Sequence, residues 1–242
     1  MSFTAAWLTL REPADHAARD PALLDAFRAR ITPATRILDI GCGTGSTLRA
    51  VNRPARWTLA DRDPALLTEA AQNHPQAETL RIDLADLSTL PTADLVTASA
   101  LFDLCSPAFI TDFVAHLGRR TGLYAALNYD GMMEWSDPHP QDGAVVAAFN
   151  RHQRRDKGFG PAAGPEAAQI LAARCEGMGL RATLAPSPWL LQPGPLHTAF
   201  VTGVAEAAAA TGIDTQDWLA ARLASRGSCR VGHLDLLALP DG

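Results

Sequence analysis

The chain contains no Cys-x-x-Cys pair. Its four cysteines, Cys42, Cys105, Cys175 and Cys229, stand far apart. That excludes the usual zinc spacings and a dense disulfide framework, and it leaves free thiols of a reducing compartment as the simplest reading. Positive charge is scarce: 21 Lys and Arg stand against 26 Asp and Glu, a formal net charge of −5. A nucleic-acid-binding surface is therefore not expected. No apolar run reaches the ~18 residues that cross a bilayer, so no membrane partner is expected. The opening MSFTAAWLTLREP lacks the basic start and long apolar stretch of a secretory signal, which reads as a cytoplasmic location. Internal repeats and low-complexity linkers are missing as well. The composition that remains, 242 residues with 47% hydrophobic and 19% charged, is that of one globular domain with a sizeable core.

Strand and helix signals alternate through the first half. Asp20-Pro21 reads as an N-cap followed by proline at the first helical position, with Leu23, Leu24 and Phe27 forming the stripe behind it. Ile37 to Ile40 is a short apolar strand, and a helix begins near Ser46. Trp57 to Ala60, Thr79 to Asp83, Ala93 to Ser99 and Leu123 to Tyr129 read as four further strands. Helices opened by Asp63-Pro64 and Ser106-Pro107 lie between them. This spacing predicts a parallel sheet covered on both faces. The pattern breaks over residues 130–164, which are rich in Pro, Gly, His and Arg around one short helix. A helix over Pro165–Gly179, a strand over Arg181–Leu191, two more helices and a closing antiparallel strand over Cys229–Leu239 follow. The expected organisation is one domain: an N-terminal helical segment (1–30), a ligand-binding core (31–129), a cap insertion (130–164) and the second half of the sheet (165–242).

In an open α/β sheet, ligands bind outside the carboxyl ends of the strands. The loop there reads Gly41-Cys42-Gly43-Thr44-Gly45. A dinucleotide fingerprint, G-x-G-x-x-G, needs a third glycine where Ser46 stands, and the Gly-Lys-Ser/Thr of a phosphate-binding P-loop is absent. Asp61 ends the second strand at the distance where a carboxylate accepts from ribose hydroxyls, and Asp83 ends the third. Two carboxylates without a basic residue in the loop suit a nucleoside that carries no phosphate, and suit a cationic centre. S-adenosylmethionine has both properties. Cys42, between glycines, reads as a small packed side chain, and Asp63 as a helix cap.

The segments "ILDIGCGTG", "LADRDPALL", "RIDLADL" and "ADLVTASALFDL" resemble motifs I to IV of the class I S-adenosylmethionine-dependent methyltransferases. The resemblance covers residues 36 to 130 closely and the rest loosely. It implies a three-layer αβα sandwich whose sheet has seven strands, mostly parallel, with an antiparallel last strand. It also implies positions for the cofactor. Asp39, Gly41, Gly43 and Gly45 would lie against the methionine part and the ribose, with Asp61 on the ribose hydroxyls and Arg62 beside the adenine. Asp83 and the Leu84 backbone would take the adenine edge, and Ser99 and Ala100 would line the sulfonium side.

Two segments carry open alternatives. Trp7, Arg11, Asp15 and Arg19 recur every four residues and share one helix face, although Pro13 would have to sit in the first turn or break the helix. The face is either a solvated one over a packed Trp, or a lid whose Arg11 or Arg19 pairs with the methionine carboxylate. After the fifth strand, Asn128, Tyr129 and Asp130 are expected to point toward the pocket. Val145, Phe149, His152 and Asp156 fall on one stripe. The run from Arg151 to Lys157 is either a solvated basic face or an anchor for an anionic acceptor through Arg155 and Lys157, with Phe159 in the wall. His152, His139 and Tyr129 are the candidate acid–base groups. The sequence thus points to methyl transfer from S-adenosylmethionine to a small molecule, at oxygen or nitrogen, without a metal. The rivals are an NAD(P)-dependent oxidoreductase and a non-catalytic, cofactor-binding partner subunit.

Overall fold

A computed structural model describes residues 4–241. Four helices start from side chains that satisfy the orphan N–H groups of a first turn. Asp20 accepts from Leu23 N (2.8 Å) and Pro21 opens α2 (Pro21–Arg28). Asp63 accepts from Ala65 N (2.9 Å) and Pro64 opens α4 (Pro64–Asn73). Ser106 accepts from Phe109 N (3.1 Å) and Pro107 opens α5 (Pro107–Leu117). Thr4 caps α1 (Ala5–Ala18), which runs through Pro13 without a break. The expectation that Pro13 ends or begins this helix is corrected. The helix is pinned from outside its own hydrogen-bond ladder: Arg49 grips Glu12 with two nitrogens (2.6 and 2.7 Å), and His16 Nε2 lies 3.1 Å from Ser46 Oγ.

The strands are β1 (Arg36–Ile40), β2 (Arg56–Asp61), β3 (Glu78–Arg81), β4 (Leu95–Ser99), β5 (Gly122–Trp135), β6 (Leu180–Pro186), β7 (Trp189–Leu191) and β8 (Cys229–Pro240). They order as β3-β2-β1-β4-β5-β8-β6, with β7 also on β8. The pairs among β1 to β5 are parallel, and β8 runs antiparallel to β5, β6 and β7. The expected single strand over Arg181–Leu191 is two, interrupted at Ser187 and Pro188, although Ser187 N still donates to the His233 carbonyl of β8 (2.8 Å); among the described residues eight strands thus occupy seven positions. A proline has no N–H to give to a ladder. A second difference is the length of β5: it continues to Trp135, six residues past its expected end at Tyr129.

The remaining helices are α3 (Ser46–Val51), α6 (Asp142–Gln153), α7 (Ala167–Gly177), α8 (Pro195–Ala209) and α9 (Gln216–Ala224). One apolar cluster packs α5 and α7 on one sheet face, around Phe102, Phe113 and Leu171. A second packs α2 and α4 on the other face, where Phe27 stacks on Tyr124 with ring centroids 5.2 Å apart. A third cluster lies beyond the carboxyl ends of the strands. It joins α6, α8 and α9 to the far parts of β5, β7 and β8.

That outer layer closes on a buried arginine. Arg222 of α9 is 2% exposed and its guanidinium lies 4.6 Å from the Trp135 ring centroid. It donates to the Asp137 carbonyl (2.8 Å) and to Asp142 Oδ1, which also accepts from Trp218 Nε1 (2.8 Å). Removing the anion from such a pair strands the buried cation. Asp142→Ala should therefore cost about 3 kcal/mol in denaturant unfolding; a loss within about 0.5 kcal/mol, typical of a surface change, would contradict this role.

Asp39 is fully buried in β1 under the glycine loop, where Thr97 donates to its Oδ1 (2.7 Å). Burial pushes its carboxyl up to about 7, against the Thr97 hydrogen bond and the Arg19 charge. An unfolded aspartate titrates near about 4. Between these values the folded chain holds a proton that the unfolded chain has released, so this group lowers stability as the pH rises through the window. Measured as a difference, Asp39→Asn should gain stability relative to the parent from about pH 4 to about pH 7 and level off above. A difference independent of pH would contradict the assignment.

Candidate functional site

The carboxyl edge of β1, β2 and β4 opens into an inner cavity. Its wall is the first loop. Gly41, Gly43 and Gly45 all have positive φ (61°, 54° and 85°), the region that glycine enters without penalty. A Cβ on Gly43 would come within 2.9 Å of Leu8 Cδ1 in α1, so the loop also needs glycine for space. Gly43 N donates to Asp61 Oδ2 (2.9 Å), and Asp63 N donates to Asp61 Oδ1 (3.0 Å). Each carboxylate oxygen thus takes one backbone bond and retains lone pairs for a ligand hydroxyl. Asp61, Arg62, Asp83, Leu84, Ser99 and Ala100 all line this cavity together with Gly41 and Gly43.

Three of the expected cofactor residues sit behind the wall. Gly45 caps α3 and packs on His74. Asp39 and Arg19 are buried beneath the wall. Asp39 Oδ2 has no hydrogen-bond partner, nor do Arg19 Nε and Nη1, while Arg19 Nη2 donates to Ser99 Oγ (3.1 Å). Buried polar atoms without partners are uncommon and call for an explanation. An orphan carboxylate oxygen, and orphan guanidinium nitrogens on the arginine that reaches Ser99, match an amino-acid head group, its ammonium and its carboxylate. The donor set therefore fits S-adenosylmethionine: carboxylates for hydroxyls and an amine, and no lysine or arginine inside the loop for a phosphate.

Arg11 lines the same cavity but is already paired within α1. It grips Asp15 with two nitrogens (2.8 and 3.1 Å), and its guanidinium lies 4.7 Å from the Trp189 ring centroid. Trp189 Nε1 donates to the same Asp15 (2.9 Å). This cluster holds α1 as a roof, and Leu8, Arg11 and Asp15 line the inner cavity from above.

Arg11, Ala100 and Leu104 also line a second, outer cavity of about 640 Å³, within the roughly 300–1,000 Å³ of small-molecule sites. Its walls are Trp7, Tyr129, Phe149, Trp189 and Phe200, with Asp103, His152 and His233 as polar groups. Tyr129 donates to Asn150 Oδ1 (2.9 Å), and burial raises its phenol well above the ordinary range. Burial first, then Lys157 and Arg155, lowers the His152 imidazole, whose Nδ1 has no partner. Burial and Arg11 push His233 down to about 3, so that ring stays neutral.

The other acceptor-side expectations are corrected. Asn128 does not reach a cavity. β5 carries a register shift between Ala125 and Asn128, with Leu127 at φ 58°. An extra residue turns the side chains that follow, and Asn128 Nδ2 donates instead to the Ala125 and Leu234 carbonyls (3.0 and 3.1 Å). His139 lines neither cavity; its backbone N–H is held by Asp142 and its Nδ1 accepts from Gln141 N (3.2 Å). The basic run does not converge. Arg155 donates to the Ala210 carbonyl (2.8 Å), where a cation complements the end of α8. Arg154 pairs with Glu166 (2.9 Å). Of its Lys and Arg side chains, Lys157 is the one that lines either cavity, and with Phe159 it lines the inner one.

Asp103 and the far aromatic rings are the residues that sequence reasoning missed. Asp103 lies near the end of the fourth motif, three residues beyond Ala100, and that position is the available signal. Trp189, Phe200 and His233 arrive from the second half of the chain with no local signal. Among the described residues, no group of three or more His, Cys, Asp or Glu is arranged to hold a metal.

Residues 37–121 match the family described as methyltransferase domain. Among solved structures, the YcgJ protein of Bacillus subtilis shares the fold with a TM-score of 0.57 at 15% identity, covering 92% of this chain and all of that one. A methyltransferase of Geobacter sulfurreducens, solved with S-adenosyl-L-homocysteine, gives a TM-score of 0.50 at 14% identity over all of both chains. The biotin biosynthesis bifunctional protein BioCD of Bordetella avium is 47% identical over 73 residues, which are 28% of this chain and 15% of that protein. The family match begins in β1 and ends just before β5, over the strands that carry the inner cavity: residues 37–121 carry a methyltransferase domain, and the fold around it is consistent with a class I S-adenosylmethionine-dependent methyltransferase.

Proposed function

We propose that the protein transfers the methyl group of S-adenosylmethionine to a flat, largely apolar small molecule, at oxygen or nitrogen, by in-line displacement. The observation that carries this reading is the meeting of two unlike cavities. The inner one presents the carboxylates Asp61 and Asp83, and the outer one is walled by aromatic rings. They share Arg11, Ala100 and Leu104. A donor held in the first and an acceptor held in the second come together at that junction, which supplies rate through proximity and orientation.

The cofactor, when bound, supplies an activated methyl group. The chain's own tasks are to hold it, to orient the acceptor and to exclude water. Asp61 and Asp83 hold the nucleoside, Asp39 and Arg19 stand behind the amino-acid head, and α1 covers both cavities as a lid. Lys157 is the one cation of the basic run placed to meet an acidic group near the junction. The acidic chain charge and the closed aromatic walls favour a small acceptor over nucleic acid. No helix among the described residues is long and apolar enough to cross a membrane, in keeping with the cytoplasmic location we propose.

Asp61→Ala removes the carboxylate that the loop positions. Binding of S-adenosyl-L-homocysteine, measured by titration calorimetry, should weaken by about 1–3 kcal/mol. Unchanged affinity would remove Asp61 from the ribose and the inner cavity from its role.

A further inference from the structure

Asp103 lies in the 3-10 turn Phe102–Leu104 that follows β4. It is 8% exposed, its Oδ1 has no hydrogen-bond partner, and it lines the outer cavity. On either side of it in sequence, Ala100 and Leu104 line both cavities, so the carboxyl stands at the passage between them. We infer that Asp103 is the catalytic base of this site, and that the acceptor is a neutral hydroxyl or amine on an aromatic body.

This inference rests on the methyl-transfer reading above and deepens it. A carboxylate acceptor arrives ionised and needs no base. A neutral hydroxyl must lose its proton as it is methylated, and a neutral amine becomes an ammonium that must shed a proton to leave as the neutral product. The acceptor's lone pair forms the new bond to carbon, and the methyl–sulfur bond breaks with its electron pair left on sulfur. The electron pair of the O–H or N–H bond stays on the acceptor atom, the proton goes to Asp103, and Asp103 later releases it to water. No further reactant is needed.

The groups facing Asp103 decide its state. Burial pushes the carboxyl up to about 6, while Arg11 from α1 and Lys157 from the loop after α6 hold it back from rising further. Tyr129 of β5 and Cys105, the residue after the turn, stay neutral: burial raises both, and the Asp103 charge raises them more. His152 and His233 share the cavity and are both held below the ordinary histidine value. At neutral pH the carboxylate is therefore ionised, with a value near enough to the working pH to take and release a proton. His152 is the rival base. It lines the outer cavity alone, on α6, whereas Asp103 sits between residues common to both cavities.

The test uses the full chain loaded with S-adenosyl-L-homocysteine, with 4-nitrophenol as the probe. Its phenolate is yellow and its neutral form is nearly colourless. An ionised Asp103 accepts a hydrogen bond from the neutral phenol and repels the phenolate, so binding to the parent protein at neutral pH should bleach the yellow band. In Asp103→Asn the affinity should fall about tenfold and the bleaching should vanish, because Arg11 and Lys157 then favour the phenolate. Asp103→Ser repeats the test should the amide strain the turn, and unchanged S-adenosyl-L-homocysteine affinity certifies that each variant is folded. Equal bleaching in parent and variants, or no binding of 4-nitrophenol to the loaded parent, overturns the inference. Failure of the parent to bind S-adenosyl-L-homocysteine would instead strike the cofactor reading beneath it.

Discussion

The hydrogen bond from Gly43 N to Asp61 Oδ2 ties the loop after β1 to the end of β2. Through it, loop shape and carboxylate position become one constraint. The loop turns tightly only because three of its residues occupy positive φ, which glycine alone enters cheaply. The turn brings a backbone N–H to Asp61, and that bond fixes where the lone pairs of the carboxylate point. The roof depends on the same geometry, since Leu8 of α1 rests where a side chain at position 43 would be. A larger residue there would strain the backbone, at a φ of 54°, and would push the Leu8 side chain aside.

A second carboxylate organises the edge where the two halves of the sheet meet. Asp235 of β8 is fully buried and accepts from Tyr124 Oη (2.9 Å), Leu127 N (2.8 Å) and Asp20 N (3.1 Å). It thereby satisfies the backbone of the β5 bulge and anchors the chain between α1 and α2. The bulge turns Asn128 into the sheet and leaves Tyr129 facing the outer cavity. Asp15 does the equivalent for the roof, drawing Arg11 and Trp189 together from opposite ends of the chain. The outer cavity is thus a product of long-range polar contacts, whereas the inner cavity follows from one local loop and the strand ends beside it.

This contrast explains what the sequence made legible. The βα alternation, the Asp-Pro and Ser-Pro helix starts, the glycine loop and Asp61 are all encoded within a few residues of where they act. The bulge at Leu127 has no local signature, since leucine is not a residue that announces positive φ, so Asn128 was placed one face wrong. Pro13 misled because tertiary contacts, not propensity, hold α1. The stripe through Val145 and His152 located a buried face of α6 but could not say that Arg155, just past its end, would turn to the last carbonyls of α8. Asp103 was hidden by its neighbours: a carboxylate amid apolar residues acquires meaning only once the second half of the chain closes a cavity around it.

The central claim is that the glycine loop, Asp61 and Asp83 form a nucleoside site for a sulfonium cofactor and not a dinucleotide site. Parallel calorimetric titrations of the intact protein with S-adenosylmethionine and with NADH test it most directly. The account predicts saturable binding of S-adenosylmethionine at one site per chain and no measurable heat with NADH. Binding of NADH in its place, or displacement of one ligand by the other with NADH the tighter, would contradict it.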